Sequence, residues 1–453
     1  MVAIAPFRAL RFDAGRIDLA TATCPPHDCI STAQRDAFIA ADAHNIAGVV
    51  LPPDAPGDAE APATPNKFQR AAALLDSWQK DESLARDARP AFFLYAITSG
   101  PPEARHTMHA LFARVRLDPT YTEIRRHEKT LKRKKQERLH LRGATNTDTE
   151  PIWLLYRDER GWVEEILRSN AFDEVARLTD EEGHEHRVWR IDRPEAVAEV
   201  TAQFDDRGLV IADGHHRYQT ALDHHAATGR PEHGSILACL VRDNDPGVRI
   251  EATHRLVHGL SFAFPEALRL AQSAWDATPL ALAAGPAETQ ARTLAAALGA
   301  PGTQQCILLG QSPTGRLEAH VLRPRGGPVP AGPRGRLDTL AVTLLHERLL
   351  AACWGLDLEH PEEHLRFTRS TLEAVQAVAS GACQFAVLPA PEPVSAVLEV
   401  AQQGHVMPQK ATYFVPKLRS GLVLGPLDEA PPVPWTEQAG DPSKFKWRMP
   451  GLD

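Results

Sequence analysis

An apolar run, Leu209–Ala212, passes directly into Asp213-Gly214 and then into a helical pattern that begins near His215 and continues through Tyr218, Ala221 and Leu222. A strand that feeds a helix through one glycine needs a tight turn, and Gly214 supplies it while letting a ligand approach the backbone closely. The helix start offers amide N–H groups and the positive end of the dipole. His215, His216 and Arg217 add side-chain donors in the same first turn. These parts predict an anion site, and phosphate is the usual anion there. Asp213 is the candidate ligand for a metal ion accompanying phosphates. The other reading is an Asp cap, surface histidines and an ion-paired Arg217. His224 and His225, further along, are expected to be solvated, since adjacent helical residues point about 100° apart.

The rest of the chain repeats this alternation. Short apolar runs predict strands at Ala91–Ile97, Ala110–Arg116, Ile152–Tyr156, Gly208–Ala212, Ile236–Val241 and Phe385–Leu388. Helices are expected at Phe68–Lys80, Pro194–Phe204 and Leu337–Cys353, the last having the clearest periodicity. The fold class is therefore mixed α/β (α+β). At 453 residues the chain has room for two or three domains. Proline and acid break the pattern at 52–65, Gly, Pro and Arg at 311–336 (where only 317–322 could form a short strand), and proline again from Ala430 onward. The expected division is an N-terminal region 1–120, a core 121–260, a C-terminal α/β region 261–428 and a tail 429–453.

Lys+Arg number 50 against Asp+Glu 58, a net charge of −8. A nucleic-acid binder that works through its overall field should be basic, so nucleic acid is an unlikely partner. Locally the balance reverses. Only ten of the basic residues are lysines, and six of these fall in 129–135 and 410–417. The run 125–142 carries nine Lys/Arg and two Glu. It predicts either a solvated helix face or a phosphate-contacting segment, with Lys129, Thr130 and Arg138 as contacts. His127 and Glu128 inside it form a candidate acid/base pair. The segment Met407–Lys417, with its prolines and aromatics, reads as a rigid loop that brings Lys410 and Lys417 to the same site. Thr253-His254-Arg255 follows an expected strand and is read as either a surface ion pair or a phosphate contact. Pro25-Pro26-His27-Asp28 reads as a turn, with Asp28 a cap or a site carboxylate.

Six cysteines are scattered, without paired metal-ligand spacing, and read as reduced thiols. The N-terminal segment lacks an apolar core of signal-peptide length, and no apolar run approaches about 20 residues. The expectation is a cytoplasmic protein without a membrane partner.

These blocks, in this order, resemble the bacterial and archaeal family called domain of unknown function 1015. The resemblance runs from Ala5-Pro6-Phe7-Arg8 through Pro25–Asp28, His127-Glu128-Lys129-Thr130, Pro151, Ala212–Tyr218, Thr253-His254-Arg255, Leu337-Asp338 and Leu345-His346 to Met407–Lys417 and Gly421-Leu422. Two positions depart from the family pattern: His27 stands for Tyr and Ala411 for Ser. More remotely, the Asp213–Tyr218 box resembles one in the ParB–sulfiredoxin superfamily, which includes free serine kinases. That resemblance implies a ParB/sulfiredoxin-like central core flanked by N- and C-terminal α/β regions. It also implies ATP or ADP with Mg²⁺ at Gly214–Arg217, assisted by His254, Arg255, Lys410 and Lys417. The implied activity is phosphoryl transfer to or from a small hydroxylated metabolite, free serine or phosphoserine, with Glu128 as base and His127 and Asp213 beside it. Asp213 and Asp28 are rivals for the base. The alternative is a non-enzymatic ParB-like module that binds nucleotide or nucleic acid.

Overall fold

The computed structural model describes residues 3–55, 58, 66–128, 133–158, 160–169, 172–204, 208–358, 360–408 and 410–430. Most of the expected loop 52–65, the candidates Lys129 and Thr130, and the tail beyond Ala430 lie outside the described residues. The chain forms two compact units and is a mixed α/β protein. The first unit comprises 1–126, 130–247 and 416–453; the second comprises 127–129 and 248–415.

The first unit is built on a nine-stranded mixed sheet. Its spatial order is Ile124–Arg125, Leu209–Asp213, Ile152–Tyr156, Ser235–Arg242, His106–Arg116, Phe92–Ser99, Glu185–Ile191 and Asp173–Thr179, with Ile4–Ala5 paired to His106–Arg116. Five predicted strands lie in it with ends moved by a few residues at most. The strands Ile152–Tyr156 and Leu209–Asp213 pair antiparallel, whereas Ile152–Tyr156 and Ser235–Arg242 pair parallel. Central strands are apolar on both faces, as burial on two sides requires. One face packs Leu111, Ala113, Leu154, Ile211 and Leu240 against Tyr218 and Ala221 of the helix His215–Thr228.

The second unit holds a six-stranded antiparallel sheet, in the order Trp275–Leu280, Leu317–Pro324, Cys306–Gln311, Phe385–Pro389, His254–Val257 and Leu365–Thr368. Alternation divides its residues between two cores. Cys306 and Leu308 face Leu344, Leu345 and Leu349, while Ile307 and Leu309 face Leu294, Ala374 and Val375. The Gly/Pro-rich segment 311–336, read as loop with room for a short strand, contributes Leu317–Pro324 to the interior of this sheet. Residues 337–353 are not one helix. Leu340 is extended (φ −71°, ψ 136°), separating a 3₁₀ turn from Ala341–Leu344, and Leu345–Cys353 winds as a π-helix. Apolar periodicity reports the buried stripe and not which carbonyl each N–H reaches.

Candidate functional site

Four segments of the first unit meet at the start of the helix His215–Thr228. The strand before it carries an irregularity between Ile211 and Asp213, so that Asp213 pairs with Trp153. Bulges of this kind re-aim side chains near functional sites. Gly214 then turns the chain at φ +91°. A Cβ there would lie 2.8 Å from Ile152 Cγ2 and 3.2 Å from Arg217 Nε, so glycine is required by conformation and by space. Tyr218 anchors the first turn: its hydroxyl accepts from the Asp118 N–H (2.8 Å) and donates to the Asp118 carbonyl (3.1 Å).

The second contributor is distant in sequence. Lys417 Nζ donates to Asp213 Oδ2 at 2.8 Å, and the Gly214 N–H donates to Asp213 Oδ1 at 2.8 Å. Burial pushes the Asp213 carboxyl up. The charges of Lys417 and Arg217, with both hydrogen bonds, more than reverse this and hold it well below the usual carboxylate range. Arg419 fixes the segment that presents Lys417. Its guanidinium donates to Thr23 Oγ1 (2.6 Å) and the Thr23 carbonyl (2.9 Å), and it pairs with Glu181 (2.8 Å).

The third and fourth contributors centre on Glu150, buried at 5% exposure. Its Oε1 accepts from the His27 N–H (2.9 Å) and Ser420 Oγ (2.8 Å), and its Oε2 lies 2.5 Å from His27 Nδ1. Arg138 Nη1 is 4.0 Å from Oε2 and donates to the Val50 carbonyl at 2.7 Å. Burial raises the Glu150 carboxyl, and His27, Arg217 and Arg138 bring it well below its usual range. Arg217 donates to the Pro151 carbonyl. Burial weakens the Arg217 and Lys417 cations, but nearby carboxylates, Asp213 and Asp28 among those of both, raise the two above their ordinary values. The site is thus Arg138, Arg217 and Lys417 interleaved with Asp28, Glu150 and Asp213. Of the three carboxylates only Asp28 is exposed.

Asp213, Gly214, His215, His216, Arg217, Arg138 and Lys417 therefore lie in the first unit, along with Asp28. His127, Glu128, His254, Arg255 and Lys410 lie in the second. There His127 Nε2 is 2.9 Å from Thr412 Oγ1, and the Lys410 N–H donates to Glu128 Oε1 at 3.4 Å. His254 and Arg255 belong to a strand and do not merely follow one; Arg255 Nη2 lies 2.9 Å from His346 Nε2. Neither fits the expected surface ion pair, being 2% and 1% exposed. His224 is also buried, not solvated: its ring stacks on His233 at 4.4 Å, because that face of the helix turns inward. Sequence reading missed Glu150 and Ser420, and took His27 only as a turn. The one signal was an acid immediately before Pro151 and a wholly apolar strand.

Asp213 was the expected metal ligand, but both its oxygens are engaged. Among the described residues, no group of three or more His, Cys, Asp or Glu could hold a metal ion. Lys417 neutralises the Asp213 carboxylate, so a Mg²⁺ there would draw most of its ligands from a nucleotide's phosphates and from water.

The family described as Protein of unknown function (DUF1015) matches residues 4–308. The chain belongs to this family. Lys417 and Ser420 lie beyond the segment matched to DUF1015, whereas His27, Glu150, Asp213 and Arg217 lie within it. Within the matched segment, His27 makes the Glu150 pair. No curated protein matches the chain. Solved structures similar to this DUF1015 member include a free serine kinase in complex with AMP. That chain is 13% identical, with a TM-score of 0.34, covering 69% of this chain and 92% of its own. A conserved hypothetical protein from Pyrococcus furiosus is 13% identical (TM-score 0.33; 69% and 95% covered). SbnI with a C-terminal truncation, from Staphylococcus aureus, is 12% identical (TM-score 0.33; 70% and 87% covered). Among the described residues no helix is long and apolar enough to cross a membrane.

Proposed function

We propose that the protein is a phosphotransferase that binds the phosphates of a nucleotide, ATP or ADP, at Gly214–Arg217, and moves a phosphoryl group to or from a small hydroxylated metabolite of the free serine or phosphoserine class. The observation that carries this reading is the convergence of Lys417 and Arg217 on the start of a long helix, beside Arg138. Phosphoryl transfer is chiefly positioning and charge neutralisation, and a preorganised set of cations with amide N–H groups supplies both. Gly214 makes the turn that opens the helix, whose first amide N–H groups are the backbone donors of this reading.

The reaction also needs a carboxylate that takes a proton from the acceptor hydroxyl. Asp213 and Glu150 are held ionised well below the usual range, which makes them weak bases, and their oxygens are already engaged. Asp28 is exposed and close enough for its charge to act on both Arg217 and Lys417. It is therefore the base of this reading. Phosphorus NMR of ATP or ADP incubated with serine and related alcohols, or the nucleotide with phosphoserine, tests the activity. Turnover lost in Arg217→Ala and Asp28→Asn, with nucleotide binding retained in the latter, is expected. No binding at millimolar nucleotide, together with an Arg217→Ala variant that behaves like the parent, would overturn it.

A further inference from the structure

Within the first unit, Arg138, Glu150 and Arg217 of the candidate site also line a cavity, together with Arg142, Asp148 and Thr220, that the proposed chemistry does not use. It has a volume of about 40 Å³. We propose that this cavity binds a single monovalent inorganic anion of halide size, such as chloride.

Three observations point to this ligand. The first is charge. Three guanidiniums line the void against two carboxylates, and Asp148 is already shared with a fourth, Arg114, at 2.7 Å. All of these groups but Arg217 are buried to within about a tenth of full exposure; Arg142 is 6% exposed and Arg114 3%. Excess charge taken out of water needs a counter-charge. Burial also pulls the Arg114, Arg138 and Arg142 guanidiniums down from their ordinary values, and the charges of Asp148 and Glu150 offset this only in part.

The second observation is unsatisfied donors. Arg142 Nη2 donates to the Ser235 carbonyl, but Nη1 has no acceptor among the described residues. Thr220 Oγ1, on a residue 2% exposed, likewise has no partner among them. Neither carboxylate of the lining hydrogen-bonds to Arg142 Nη1 or Thr220 Oγ1; their oxygens are turned to other groups. Asp148 Oδ2 accepts from Arg114 and the Leu237 N–H (2.9 Å), and its Oδ1 faces Arg142 Nε at 3.0 Å. Glu150 is held by His27 and Ser420. Two buried donors that border one void call for an acceptor inside it. Water would supply lone pairs but no charge; an anion supplies both.

The third observation is size. On this measure a cavity needs about 10–15 Å³ to hold one water, so the void admits one ion of halide size or a few waters. A nucleotide does not fit a void of this volume. Leu141 and Ile236 give the void apolar walls, which suit a large, weakly hydrated ion. Because Arg217 and Glu150 face both this cavity and the candidate site, the bound anion would complete the charge balance around the phosphate-binding residues.

The test uses the full chain without nucleotide. Thermal unfolding is followed at constant ionic strength while sodium gluconate is replaced by sodium chloride or bromide. A saturable rise in Tm of about 2 °C or more is expected for both halides and none for sulfate. Thr220→Val, which exchanges the hydroxyl for a methyl, should reduce the halide effect at least several-fold while leaving the fold in gluconate unchanged. Crystals soaked in bromide should show an anomalous peak within hydrogen-bonding reach of Arg142 Nη1 and Thr220 Oγ1. Equal Tm values in gluconate and chloride, or a cavity that holds only water in bromide-soaked crystals, would overturn the proposal.

Discussion

Substituting Gly214 by alanine separates two costs that glycine avoids, because a second glycine on the same helix supplies the control. Gly214 opens the helix at φ +91° and Gly229 closes it at φ +64°. Both positions charge an L-residue the left-handed backbone penalty of about 1–2 kcal/mol. Both also gain about 0.4–1 kcal/mol from a less flexible unfolded chain. They differ in their surroundings. A Cβ at 229 meets nothing within 4 Å, whereas one at 214 lies 2.8 Å and 3.1 Å from two carbons of Ile152. Ile152 is fully buried in a central strand and cannot withdraw, so overpacking adds about 1–3 kcal/mol at 214 alone. Gly229→Ala should therefore cost roughly 0–1.6 kcal/mol and Gly214→Ala roughly 1–4.6 kcal/mol. Denaturant midpoints followed by circular dichroism, with hydrogen exchange of the His215–Thr228 amides to localise the change, measure both. Equal costs for the two variants would refute the steric argument and leave only the backbone term.

Other outcomes follow from the charges. Lys417→Met should destabilise by about 1–3 kcal/mol, between a surface and a fully buried ion pair, and Lys417→Arg should restore part of the loss in the same unfolding assay. The folded Glu150 carboxyl sits below its unfolded value of about 4.3, so its contribution is complete above that value and disappears as pH falls through the folded one. Between about pH 5 and pH 3 the unfolding midpoint of Glu150→Gln should accordingly change less than that of the parent. Glu392 behaves in the opposite sense. Burial pushes its carboxyl up to about 7, and although Oε1 accepts from the Val342 N–H, Oε2 has no partner among the described residues. The folded state then binds the proton more tightly, and stability falls as pH rises from about 4.3 through 7. Glu392→Gln should be near neutral at about pH 5 and raise stability by about 1–3 kcal/mol at about pH 8, read from melting temperatures at the two values.

Local chemistry was legible in the sequence and long-range pairing was not. The strand–glycine–helix junction could be read because each part acts on its neighbours: apolar residues bury, glycine turns, and the helix begins. Strand positions were readable for the same reason. Glu150 could not be picked out from 58 acidic residues, since its role comes from His27 and Ser420, which are 123 and 270 positions away. Lysine scarcity did point to Lys417, but not to Asp213 as its partner. His224 and the π-helical Leu345–Cys353 were misread because tertiary packing decides which helix face is buried and how tightly the backbone winds.

The first unit is also interrupted: residues 248–415 build the second before the chain returns with Lys417, Arg419 and Ser420. A ribosome therefore releases Asp213, Arg217 and Glu150 long before the groups that complete their pairing. Until translation has passed the whole second unit, the nascent first unit carries an Asp213 without its ammonium and a Glu150 without its hydroxyl donor. The order of synthesis thus makes the candidate site one of the last parts of the molecule to mature.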